Sequence, residues 1–386
     1  MSNTPDKKYH WSFYLLAPLL SATLTVLVVE AVLILFYPVP FSMEQNMYYE
    51  PDPFVGYKLK PNSLGHFQNG IVARTDRHGH RDDEVALVKD PQVCRVLVLG
   101  DSFTMGSNVT REEAYPQVLE QMLNQHFASP VEVINTAVGG WTPFQYAQYY
   151  QQYGRAFDPD LVFVGFFVGN DTYSQQNNVE QTKTAVLGRR VFREAAASPW
   201  IGLKVWMVDH SHLARLILNT RAIAAIDRTR DTCQDFTTEY VAIQRARIRA
   251  HLKRTETHDA SIQNTLVQLL RIKALAEQDT ASLMVALLPD ENQINAHLQA
   301  LTIAPEAVND YDFEMPQSLI VEVFEENHIP TIDLFPTFRD HPGCLYMNDT
   351  HWNPEGHRLA ASTLYRAMLE RLAEACALPS EEDAPQ

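Results

Sequence analysis

Cysteine is scarce in this chain. Four residues in 386, Cys94, Cys233, Cys344 and Cys376, are too few for a disulfide-built scaffold. None of them has CxxC spacing, which argues against a structural zinc site. Basic residues are also in deficit: 31 Lys and Arg stand against 47 Asp and Glu, a formal net charge of −16. Such a chain lacks the basic footprint needed to wrap nucleic acid. No internal repeat or low-complexity tract is present. What remains is ordinary globular composition, 46% hydrophobic and 20% charged. It excludes a mainly disordered chain, a collagen-like fibre and a polytopic membrane protein. The length suits two or three domains at roughly 150 residues each.

One segment departs from this pattern. Residues 13–37 read FYLLAPLLSATLTVLVVEAVLILFY, with Glu30 the one formal charge. The run meets the ~20 apolar residues needed to cross a bilayer core. Phe13, Tyr14 and Tyr37 suit the interfacial belts, and Glu30 lies near the distal end, within reach of headgroups. Lys7 and Lys8 precede the span, whereas Glu44, Glu50 and Asp52 follow it. The positive-inside rule then places residues 1–12 in the cytoplasm and the rest outside. In a bacterium the main domain would be periplasmic, anchored by one pass through the inner membrane. A cleaved signal peptide is the alternative, but the run exceeds the usual ~7–15-residue apolar core and no clear A-x-A site follows. Disulfides would be permitted outside. Spacing assigns no pairs, and Cys94, in an expected core strand, reads simply as a buried residue.

Residues 38–91 form an irregular lead-in with short extended pieces around Phe54–Leu59 and Gly70–Arg74. From 92 to 378 the texture changes. Apolar runs at Arg95–Leu99, Val131–Asn135, Leu161–Val168, Leu283–Leu288 and Pro330–Leu334 alternate with helical patterns such as Glu112–Phe127 and 355–377. Continuous apolar strands between helices predict a parallel sheet covered on both faces. The expected fold is therefore α/β and doubly wound (flavodoxin-like), with ligands at the carboxyl ends of the strands. More than a hundred residues separate the third and fourth strands. A helical insertion, about 172–262, fills most of that interval, with Ser198–Ile226 and Tyr240–His258 reading as helices. Placed near the active-site face, it would influence substrate choice. Residues 379–386 form an acidic tail.

Four strand ends carry chemistry. The first ends in Gly100-Asp101-Ser102, where a following helical turn would aim amides at developing negative charge. A serine that merely caps a helix gives the same local pattern. The second strand ends in Gly139-Gly140, where a bare N–H can approach a ligand, or the chain simply turns. The third ends in Gly169-Asn170-Asp171, an amide donor or an Asx turn. After the last strand comes Asn348-Asp349-Thr350-His351-Trp352-Asn353-Pro354-Glu355-Gly356-His357. There His351 is a candidate general base and Asp349 the group that sets its tautomer. The two side chains share a side if the stretch is extended.

Together these blocks resemble the SGNH hydrolases, the GDSL-type esterase and lipase superfamily, over about residues 93–378 without the insertion. The resemblance implies Ser102 as nucleophile, His351 as base and Asp349 as acid. Its oxyanion hole would comprise the Ser102 and Gly140 amides and the Asn170 side chain. The family's usual acid position, three before the histidine, holds Asn348 here. The Asp349-x-His351-Trp352 arrangement instead resembles alginate O-acetylation proteins of the AlgX and AlgJ type. His357 falls at the family's trailing Gly-His position, a packing residue at a helix start.

The resemblance implies a serine esterase acting through an acyl-enzyme, with no cofactor and no metal. The expected substrates are O-acyl groups, O-acetyl foremost, on envelope or exported carbohydrate. Three alternatives stay open: an O-acetyltransferase served by a membrane acyl-donor protein, a lipase or lysophospholipase, and a non-catalytic scaffold. Beyond the motif blocks, Arg74–Arg81 packs two His and three Arg into the lead-in, where a metal site or, more simply, packing beside the catalytic face could use them. Arg245, Arg247, Arg249, His251, Lys253 and Arg254 form a basic cluster on an expected helix, either a solvated face or a contact for an anionic partner. Asn108, Asn170 and Asn348 each begin a glycosylation-acceptor triplet, which reads as coincidence.

Overall fold

The computed structural model describes residues 11–37, 48–67, 70–172, 174, 176–218 and 236–376. The acidic tail, residues 1–10 of the expected cytoplasmic tail and Cys233 lie outside the described residues. Along the chain run α1 (Trp11–Phe36), β1 (Tyr49–Asp52), β2 (Gly56–Leu59), β3 (Cys94–Gly100), α2 (Ser102–Met105), α3 (Tyr115–His126), β4 (Val131–Asn135), α4 (Pro143–Gln152), β5 (Leu161–Phe167), β6 (Thr184–Val186), β7 (Arg189–Val191), α5 (Ile201–His210), α6 (His212–Leu218), α7 (Thr238–Arg247), α8 (Glu256–Gln278), β8 (Ser282–Leu288), α9 (Met315–Glu326), β9 (Thr331–Asp333) and α10 (Pro354–Cys376). They fall into two compact units. One comprises Met1–Glu44 and Trp200–Ile226; the other comprises Gln45–Pro199 and Asp227–Gln386.

The frame of the larger unit is a five-stranded sheet in the order β9-β8-β5-β3-β4. Every pairing in it is parallel. This is the doubly wound, flavodoxin-like order, with the winding reversing at β3. All seven residues of β3 and of β5 are buried. Because strand side chains alternate, each strand feeds two cores. Leu97, Leu99, Val162 and Val164 pack on one face with Tyr146, Leu269, Ile272 and Ile320 from α4, α8 and α9. Val96, Val98 and Phe163 pack on the other with Leu119, Leu123, Leu364 and Met368 from α3 and α10.

The lead-in forms two antiparallel ribbons, β1–β2 and Leu64–His66 with Val72–Arg74. The insertion is not wholly helical. It opens with a ribbon, β6–β7, turning at Leu187 and Gly188, both with positive φ (49° and 81°). A two-residue turn of that hand matches the natural twist of paired strands. The expected helix over Ser198–Ile226 starts at Ile201 and breaks at Ser211; residues 219–235 lie outside the described residues. The Tyr240–His258 helix likewise ends at Arg247, followed by a 3-10 turn, Ile248–His251. The basic cluster is therefore dispersed rather than aligned on one helical face. Arg245 donates to the Leu301 carbonyl, Arg254 pairs with Asp259, and His251 is buried.

In the smaller unit, α1 contains a 23-residue stretch, Tyr14–Phe36, long and apolar enough to cross a membrane.

Cys94 corrects the expectation of a merely buried thiol. It is bonded to Cys376, with Cα atoms 5.5 Å apart across 282 residues of sequence. The bond joins the start of β3 to the end of α10, a proximity set by topology. Closing so long a loop restricts the unfolded chain by about 5 kcal/mol on the chain-entropy estimate. Cys376→Ser is expected to lower unfolding stability by about 2–5 kcal/mol. Denaturant midpoints measured without reductant would test this, and a midpoint equal to that of the unsubstituted chain would refute it.

Candidate active site

The carboxyl ends of β3 and β5, neighbours at the reversal point, carry the first and third motif blocks. After β3 the chain enters α2, a single helical turn. Its cap is Asp101, whose Oδ1 accepts from the Phe103 N–H at 2.9 Å. Capping by Asp101 leaves the Ser102 hydroxyl unused for that purpose, so Ser102 is not a mere helix cap. The turn closes at Gly106 with φ +76°. Asn170, after β5, donates its side-chain N–H to Asp101 Oδ2 at 2.9 Å. The bond spans two strand ends instead of forming a local Asx turn. Asp171, also buried, accepts from Tyr146 Oη (3.0 Å) and the Phe167 N–H (3.1 Å).

Burial pushes the Asp101 carboxyl above its ordinary range, against the pull of the Phe103 and Asn170 donors. Burial and the Asp101 charge push Asp171 well above its own.

Asp349 and His351 meet, but not by extended alternation. Thr350 has φ +77°, and the His351 N–H donates to Asp349 Oδ1 at 3.1 Å. This tight turn brings His351 Nδ1 to 2.9 Å from Asp349 Oδ2. Asn108, six residues after Ser102, donates its amide to that same Oδ2. Burial opposes ionisation of Asp349, but His351 and the Asn108 amide outweigh it and hold the carboxyl below its ordinary range. An ionised carboxylate accepts, so Nδ1 carries an N–H, and in the neutral imidazole Nε2 then holds the lone pair. The imidazole lies 5.1 Å, centroid to centroid, from the ring of Phe103, the residue after Ser102. The last block is thus brought to the first.

The second block sits beside them. A Cβ built on Gly139 would lie 3.6 Å from Ser102 Cβ. Gly140 has φ +77°, and a Cβ there would come within 2.8 Å of Arg190 Nη1. The Gly139 carbonyl accepts from Tyr57 Oη at 3.0 Å and from the Arg190 guanidinium. Tyr57 comes from β2 of the lead-in and Arg190 from β7 of the insertion. Because the peptide is planar and trans, fixing that carbonyl also fixes the Gly140 N–H on the opposite side.

Sequence reasoning missed Asn108, Tyr57 and Arg190 as site residues. Only Asn108 had drawn notice, as a glycosylation triplet. It also did not single out Arg81 within Arg74–Arg81. This buried guanidinium donates to the carbonyls of Met105 (2.8 Å), Gly106 (3.0 Å) and Val109 (2.6 Å), bracing the loop after Ser102. Burial lowers its pKa to about 10. The two histidines of that segment have protein partners. His78 Nε2 meets the Val85 carbonyl, and His80 meets Asp76 and Tyr149. From the basic cluster, Arg247 reaches over the Phe167 ring at 5.7 Å.

His357 is buried, stacked on Tyr115 and edge-on to Trp352. Its Nδ1 accepts from the Tyr115 N–H at 3.3 Å. That contact is structural, at the start of α10.

Comparison with known proteins gives one family. The sequence profile of the GDSL-like Lipase/Acylhydrolase family matches residues 98–359. Similar solved structures include a catalytic mutant of an acetylxylan esterase from Geobacillus stearothermophilus, at 12% identity and TM-score 0.38, covering 71% of this chain and 94% of that one. A lipase/acylhydrolase from Enterococcus faecalis has 12% identity and TM-score 0.37, covering 75% and 98%. A GDSL-like lipase from Bacteroides thetaiotaomicron VPI-5482 has 12% identity and TM-score 0.35, covering 74% and 93%. No curated protein matches the chain in sequence.

Burial lowers the His357 pKa from 6.5 to about 3. Between those values the unfolded chain binds a proton that the native chain does not. The contribution therefore falls as pH drops through that window, by roughly 5 kcal/mol in all. In His357→Gln that loss is absent. The stability difference, unsubstituted chain minus variant, should be flat above pH 7 and decline as pH falls from 6.5 towards 3. Unfolding free energies across that range would test it, and a pH-independent difference would contradict a buried neutral imidazole.

Proposed function

The chain belongs to the GDSL-like lipase/acylhydrolase family, and from that premise we propose a membrane-anchored, extracytoplasmic serine esterase with Ser102, His351 and Asp349 as its triad. The observation that carries the triad is the Asp349–His351 bond beside Phe103, at the strand end that holds Ser102. His351 Nε2 takes the proton from Ser102 as Oγ attacks an ester carbonyl, and Asp349 stabilises the imidazolium. The tetrahedral oxyanion accepts from the Ser102 and Gly140 amides and from the second N–H of Asn170, whose first is held by Asp101. The alcohol then leaves with the proton from His351, and water releases the acid from the acyl-enzyme.

The substrate class we favour is O-acetylated envelope or exported carbohydrate. Location and the Asp-x-His-Trp resemblance support it. The Cys94–Cys376 bond supports the compartment, since disulfides persist where conditions are oxidising. The 23-residue apolar stretch of α1 supports the anchor. Transfer of the acyl group to a sugar hydroxyl would use the same residues.

Turnover of p-nitrophenyl acetate should vanish in Ser102→Ala, with loss of fluorophosphonate labelling; labelling that persists in that variant would sink the assignment. If the Gly139 carbonyl sets the Gly140 amide, Arg190→Ala and Tyr57→Phe should each lower kcat by about 10-fold, less than the ~100–1,000-fold typical of deleting an oxyanion donor outright. KM should change little. A rise in KM at constant kcat would instead assign these residues to ground-state binding.

A further inference from the structure

The smaller unit contains a carboxylate inside its apolar helix and a corner of two short helices built around it. Glu30 lies six residues before the end of α1, roughly 9 Å below it at 1.5 Å per residue. Its carboxylate accepts from the N–H groups of His212 (2.5 Å) and Leu213 (2.9 Å) and from Ser211 Oγ (2.8 Å). Those are the first amides of α6, groups that a helix leaves without internal partners. At the other side of the corner, buried Arg215 donates to the Val208 and Asp209 carbonyls, both at 2.7 Å. Those are among the last carbonyls of α5. Side chains from within the unit thus satisfy polar groups on both sides of the break between α5 and α6.

A corner in water would not need this, because solvent satisfies helix ends at little cost. A corner in hydrocarbon does, because each unpaired backbone group there costs several kcal/mol. The outward side chains agree. Trp200, Leu203, Trp206 and Ile217 are exposed, with both tryptophans more than half accessible. Tryptophan favours the boundary between headgroups and acyl chains. Lys204, exposed among them, can carry its ammonium to the headgroups on its apolar stem. The ~9 Å depth of Glu30 also matches the roughly 5–10 Å to which helices lying in the interface sink.

We propose that the α5–α6 corner is seated in the distal leaflet of the bilayer that α1 crosses, with Glu30 as the latch that holds it there. The occupant of its exposed apolar face is lipid. This rests on reading α1 as a membrane span, and the test separates the two.

The full chain would be reconstituted into phosphatidylcholine vesicles containing lipids brominated on their acyl chains, which quench tryptophan fluorescence on contact. The five tryptophans are Trp11, Trp141, Trp200, Trp206 and Trp352. Trp141 and Trp352 are buried in the larger unit and should not respond. The double variant Trp200→Phe, Trp206→Phe should lose the quenching that those two exposed residues supply, a clear drop against the unsubstituted chain. Trp11, at the start of α1, reports on the span. Quenching that is wholly retained in the double variant would leave Trp11 as its source; the span would stand and the seated corner would be overturned. No quenching in the unsubstituted chain would overturn both. Glu30→Ala should reduce quenching of Trp200 and Trp206 by about half or more, with Glu30→Gln, which keeps one acceptor oxygen, intermediate. Equal quenching in all three chains would remove Glu30 as the latch. Dimers that form in detergent and shield both tryptophans from brominated lipid would instead assign the face to a second copy.

Discussion

The close approach of α2 to the sheet sets the end of the fold where the candidate site lies. Gly100 and Gly165 face each other at the ends of β3 and β5. A Cβ on the first would come within 2.3 Å of Thr104 Oγ1, and one on the second within 2.2 Å. Only this paired lack of side chains lets Thr104 sink onto two strands at once. Its hydroxyl then meets Tyr115 Oη at 3.0 Å, and its carbonyl accepts from Asn135 Nδ2 at 2.9 Å. Seated this way, α2 holds Ser102 at the crevice that the reversed winding opens. A larger side chain at either glycine would lift the turn and move the serine with it.

Around that seat, distant segments converge on backbone groups more than on one another's side chains. Arg81 from the lead-in collects three carbonyls from the loop after α2. Tyr57 and Arg190 share the carbonyl before Gly140. Asn108 fastens Asp349 to the loop that follows the serine. Buried hydrogen bonds of this kind are strong in a low-dielectric interior and rigidify the groups they join. The site is therefore held by a shell drawn from the lead-in and the insertion as well as from the sheet.

Much of this frame was legible from residue pattern alone. The sheet strands were evident because burial on both faces, complete in β3 and β5, demands an unbroken apolar run, and the expected limits differ from those found by only a residue or two. Ser102, Asp349 and His351 stood out because few residue types can do their chemistry. The supporting shell was not legible. Asn108 lies 241 residues from Asp349, Tyr57 82 from Gly139, and Arg190 51 from it. No local periodicity encodes contacts at those separations. The same holds for Cys94 and Cys376, whose adjacency follows from α10 packing back along α3. Asp349 and His351 were correctly paired for a partly wrong reason: a tight turn through Thr350, not strand alternation, joins them.

The disulfide has a further consequence. It makes the hydrolase fold covalently circular, since its first sheet strand and its last helix are fastened at their outer ends. Cys94 opens β3, whereas Ser102 follows that strand's far end. The end of α10 therefore lies at the pole opposite the crevice that holds Ser102. A cargo domain appended after α10 would emerge from the rear of the enzyme.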